Sequence, residues 1–108
     1  MIVEPHNRAP RYPHLTPGQP YVVLGIEADD FRVLNDQGRP YLYLHEIFAV
    51  VDARKPDDWV IELGEDNERY AYPPLLNSAG FFEDYFDGEP EAVATFWRVV
   101  NRRLSAAA

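Results

Sequence analysis

Between Tyr21 and Tyr72 the apolar residues come in short runs, each stopped by proline, glycine, asparagine or aspartate. Runs of this length, rich in β-branched and aromatic residues, predict strands joined by tight turns. Tyr21-Val22-Val23-Leu24-Gly25-Ile26 is the first, and Phe31-Arg32-Val33-Leu34, with one charged residue inside it, is the second. Asn35-Asp36-Gln37-Gly38 reverses the chain, Gly38 supplying the positive φ that such hairpins need. In Arg39-Pro40-Tyr41-Leu42-Tyr43-Leu44, the third strand, tyrosine and leucine alternate, so rings project to one face and aliphatic groups to the other. His45 to Val51 reads as a bend leading into a fourth strand. Trp59-Val60-Ile61-Glu62-Leu63 makes a fifth, and Arg69-Tyr70-Ala71-Tyr72 a sixth that pairs with it. Pro73-Pro74 then ends the sheet.

Both flanks break this pattern. Residues 1–20 hold five prolines and two histidines and read as an extended, proline-rich leader. Leu75 to Gly88 has no clean period and room for a short helical turn. Beyond it Pro90 suits the first position of a helix, and Asp87, Glu89 and Glu91 surround the positive end of its dipole. Val93, Phe96, Trp97, Val100 and Leu104 fall into one apolar stripe, which predicts a helix from Pro90 to Leu104 docked through Phe96, Trp97 and Val100, with the last three alanines as a frayed tail. At 108 residues the chain has the size of one domain. Short strands with a bend between the third and fourth suit a small barrel better than a sandwich, which needs more strands.

Composition closes several routes to function. The chain has no cysteine, which removes disulfides, thiolate metal sites and a cysteine nucleophile. Its net charge is −8, and the imbalance is local: from Asp57 to Glu91 eleven acids stand against the single base Arg69, a net −10, while the rest carries +2. Such a surface argues against nucleic acid as a partner, because phosphate contacts come from clustered lysine and arginine. No apolar stretch is long enough to cross a bilayer, so no membrane role is expected, and prolines in the first fifteen residues exclude a signal-peptide core, which places the expectation in the cytoplasm.

The residues Gly18, Tyr21, Val23, Gly25, Ile26, Phe31, Arg32, Asn35, Asp36, Gly38, Pro40, Leu42, Tyr43, Phe48, Val50 and Asp52 resemble the pattern of small bacterial SH3-like barrel proteins. In these a GxxYxVxGI strand is followed by a YRxxND-x-GxPxLY hairpin and an xxFxVVD strand. Trp59-Val60 and the stretch from Tyr72-Pro73 through Gly80 to Asp87 resemble the C-terminal half of such proteins. The resemblance implies a mainly β fold, an SH3-like barrel of five to six strands between Tyr21 and Tyr72 with a C-terminal α-helix. Some proteins of this kind are encoded beside polymorphic toxins and are thought to act as immunity proteins, so the function it implies is protein binding. It carries over no catalytic residue.

Chemistry-bearing groups are sparse. His45-Glu46 is the only adjacent acid–base pair of interest, and a hydrolase built on it is one alternative reading. His6, His14 and His45 match no zinc spacing, and in the acidic run from Asp84 to Glu91 the rings Tyr85 and Phe86 stand where a calcium loop needs oxygen ligands. No catalytic residue, metal or other cofactor is therefore expected. Two aromatic groups remain as binding candidates. Tyr41, Tyr43, Trp59, Tyr70 and Tyr72 resemble the grooves that hold proline-rich peptides, although cross-strand packing explains them as well. The stronger candidate is Phe81, Phe82, Glu83, Asp84, Tyr85 and Asp87, rings amid carboxylates, which suits a basic protein partner, the rings as anchors and the acids as steering charge. A structural or oligomer-forming module without such a partner is the other alternative.

Overall fold

Strand β2 (Tyr21–Glu27) carries apolar side chains on both faces, so it needs cover on both, and the rest of the chain supplies it. A computed structural model describes residues 1–107; Ala108, in the expected frayed tail, lies outside the described residues. Along one edge β2 pairs with β3 (Asp30–Leu34), which pairs in turn with β4 (Pro40–Leu44). The other edge is divided: Tyr21 and Val22 pair with β1 (Ile2–Pro5), and Ile26 and Glu27 with β7 (Arg69–Tyr72). Outside β1 lies β5 (Phe48–Asp52), and outside β7 lies β6 (Val60–Leu63). Every pairing is antiparallel, and the seven strands form one bent sheet.

A bulge sets the bend. Val23 faces Val33 and Gly25 faces Arg32, so Leu24 is an extra residue on β2. One extra residue reverses the side-chain phase and bends the strand. Tyr21 and Val23 before the bulge and Ile26 after it therefore enter the same core, with Val33, Phe48 and Trp59. Leu24 enters a second core on the opposite face, beneath α1 (Phe81–Phe86) and α2 (Pro90–Ala107), together with Tyr72, Leu76, Phe81, Phe96 and Val100. Gly25 is required there: a Cβ would lie 2.2 Å from the Tyr72 ring.

The leader is part of the sheet. β1 sits between β2 and β5, and the following loop is locked by Asp36, whose carboxylate accepts hydrogen bonds from Thr16 Oγ1 (2.9 Å) and from the Tyr21 hydroxyl (2.6 Å). At the β3–β4 turn the Asn35 side chain accepts the backbone N–H groups of Gln37 and Arg39, both at 3.0 Å, and Gly38 has φ 70°.

The bend expected after the third strand is a 3-10 turn, His45–Ile47, and the strand expected beyond it follows from Phe48. Two expectations need correction. The sheet does not close into a barrel: β4, β5 and β6 each pair along one edge only, so seven strands remain open where five or six were to close. The buried stripe of α2 is Phe96, Val99 and Val100, whereas Trp97 is 37 % exposed and Leu104 is exposed as well. Along α2 the face turned to the core is centred on Phe96 and Val100, and Trp97, about 100° further round the helix, falls at the margin of that face. Phe96 takes the core, and Trp97 lies at the rim over Gly38.

Candidate functional site

The sheet face carrying the second core is not fully covered. Between α1 and the strands runs an open groove of about 720 Å³, floored by Arg32, Tyr70, Tyr72 and Leu42 and walled on the other side by the 77–83 segment and Phe86. Four carboxylates line it: Glu27 from β2, Glu62 from β6, Glu83 within the short helix α1 and Asp87 just past its last residue.

Its floor is pinned by a buried arginine. Arg32 Nε donates to the Tyr72 hydroxyl (2.7 Å), Nη1 to the Pro40 carbonyl (2.8 Å) and Nη2 to Glu27 Oε2 (3.1 Å). The Phe82 ring caps the guanidinium at 3.8 Å, a cation–π contact that ties α1 to the sheet. The charge of Arg32 is thus spent within the fold: it neutralises Glu27 and leaves Glu62, Glu83 and Asp87 to set the sign of the groove. Burial pushes the Tyr72 phenol above the ordinary tyrosine range against the opposing pull of Arg32, so the hydroxyl stays protonated and able to donate.

The aromatic–acidic segment divides by helical spacing. Phe81 and Tyr85, four apart, are buried in the second core, while Phe82 is half-buried on Arg32 and Phe86 is 40 % exposed beside Tyr41. Glu83, Asp84 and Asp87 are exposed, and of these Glu83 and Asp87 line the groove. The five-ring groove is not assembled. Tyr43 and Trp59 are buried in the first core and Tyr72 in the second, and Tyr41 packs on Phe86 at the sheet edge. Only Tyr70 and Tyr72 of the five meet in the acidic groove, where the Tyr70 hydroxyl donates to Glu68 (3.0 Å). His45 and Glu46 are both exposed on the 3-10 turn; the His45 ring lies 5.9 Å from Phe31, and Glu46 belongs to a separate shallow cavity with His6 and Tyr12.

Arg32, Glu27 and Glu62 are parts of the site that no pattern in the sequence marks. Period-two alternation puts Arg32 on the face opposite Val33, but nothing local shows that α1, some fifty residues on, covers that face. A second pole of opposite sign also emerges: Arg98, Arg102 and Arg103 line a small cleft at the far end of α2, where Arg103 pairs with Asp58. Among the described residues no helix is long and apolar enough to cross a membrane. Comparison with models of known protein families, with curated proteins and with solved structures finds no match.

Proposed function

We propose that this chain is an SH3-like binding module that covers a basic surface of a protein partner through the groove between α1 and the sheet. The observation that carries the reading is the composition of that groove. Glu62, Glu83 and Asp87 surround the half-buried Phe82 and the exposed Phe86, which supplies both anchors for apolar groups and a field that attracts cations. The bent sheet, with β2 shared between two strand clusters and a 3-10 turn leading to β5, supports the SH3-like part of the reading. A nucleic-acid-handling toxin is one partner of the right charge, because its substrate is anionic; on that assignment the chain acts as its immunity protein.

The test uses a fluorescent peptide carrying lysine and arginine between aliphatic residues. It is expected to bind more weakly as salt rises. The variant E62Q/E83Q/D87N, which keeps shape and removes charge at exposed positions, is expected to bind roughly tenfold more weakly, about 1.4 kcal/mol, with unchanged circular dichroism. Equal binding by the variant, or equal binding of an acidic peptide to the native protein, contradicts the proposal.

A further inference from the structure

The two most exposed large apolar side chains of the molecule stand on one short strand: Ile61 is 61 % and Leu63 67 % exposed, both on β6. β6 is an edge, paired with β7 alone. Which of its backbone groups are free follows from the ladder. The Gly64 N–H bonds the Glu68 carbonyl at 2.8 Å, and the register runs on from that pair through Leu63↔Arg69, Glu62↔Tyr70 and Ile61↔Ala71. Hydrogen-bonded and non-bonded pairs alternate in an antiparallel ladder, so Glu62 bonds toward β7 while Ile61 and Leu63 turn their N–H and C=O groups outward. The other edge of β7 agrees. Ala28 N–H bonds the Arg69 carbonyl at 2.8 Å, so Arg69 and Ala71 direct their backbone groups to β2. The same two residues therefore offer free backbone pairs and bare apolar side chains.

Edges of this kind are normally guarded by proline, lysine or a bulge. Val60–Leu63 carries none of these. Its one charge, Glu62, projects to the opposite face, into the acidic groove.

We propose that β6 is a docking edge to which an extended segment of a basic partner adds as an antiparallel strand. This rests on the reading of the groove as a site for a basic partner. A strand alternating apolar and basic residues matches both faces: its apolar side chains cover Ile61 and Leu63, and its lysines or arginines reach Glu62 and the groove beyond. Strand addition of this type takes affinity from main-chain hydrogen bonds and specificity from alternate side chains. A second copy of this chain is disfavoured as the occupant, because pairing β6 with itself brings together two acidic segments of net charge −10.

The probe is a synthetic peptide of alternating valine and lysine, with versions N-methylated on the valines or on the lysines. In an antiparallel pair the residues bonded to Ile61 and Leu63 share their face, so the valines carry the N–H groups that are used. Valine methylation is expected to weaken binding at least tenfold and lysine methylation less than threefold. Hydrogen exchange at the Ile61 and Leu63 amides is expected to be fast in the free protein and at least tenfold slower in the complex. Strand addition is overturned if the valine-methylated peptide binds within twofold of its parent, or if those amides gain no protection while the peptide still binds; the latter leaves the groove reading intact. Absence of salt-sensitive binding by any of the peptides overturns both. Concentration-dependent protection of the same amides without peptide assigns the edge to a second copy and overturns the proposal.

Discussion

Replacing Phe96 with alanine is expected to cost about 3–5 kcal/mol of folding stability, the range for a large aromatic removed from a core. Phe96 has no exposed surface and meets Tyr85 at 4.7 Å between ring centroids, with Phe82 and Trp97 also in contact range. It joins α1 to α2 and both helices to the sheet, so its removal opens a cavity at the centre of the second core. The adjacent Trp97→Ala is expected to cost less, about 2–3 kcal/mol, because more than a third of its surface already faces water. Urea unfolding of the two variants separates them. A larger loss at Trp97 than at Phe96 would mean that the helix is rotated by about one residue from the arrangement described.

Arg32→Leu is expected to cost about 2–5 kcal/mol, although it places an aliphatic residue in a strand. The substitution leaves the Tyr72 hydroxyl and the Pro40 carbonyl buried without the partner each now has, at about 1–3 kcal/mol apiece. It also removes the cation beneath Phe82. Glu27 adds less, since its side chain is 30 % exposed and can be solvated. Arg32→Lys is expected to recover only part of the loss, because a single ammonium cannot reproduce a planar fork that serves three acceptors and a ring. Denaturant midpoints give both values. A loss under 1 kcal/mol for Arg32→Leu would show that the network is not what fixes α1 on the sheet.

The strands were legible where local pattern decides. Phe31 to Leu34 and Arg69 to Tyr72 have turn residues beside a β-branched or aromatic run, and they fold as strands with those C-terminal limits. β1 was not legible, because its few residues lie among prolines and its stability comes from pairing with β2 and β5, contacts distant in sequence. The open sheet was also hidden: strand count and bends do not say whether β5 meets a neighbour beyond β1. At the site, the acidic segment stood out in composition. Its division into buried Phe81 and Tyr85 and half-buried or exposed Phe82 and Phe86 depends on which side of α1 meets α2, a tertiary fact. Glu27, Glu62 and Arg32 reach the groove from three strands, and no spacing within one segment can bring them together.

We propose the groove beside α1, and not another surface, as the place where a basic partner binds. Backbone amide chemical shifts recorded while the lysine- and arginine-bearing peptide is titrated into the isotope-labelled protein test it most directly. The changes are expected to concentrate at Glu62, Tyr70, Phe82, Glu83, Phe86 and Asp87 and to fade as salt is raised. Changes centred on Arg98, Arg102 and Arg103, or spread evenly over the surface, would contradict it.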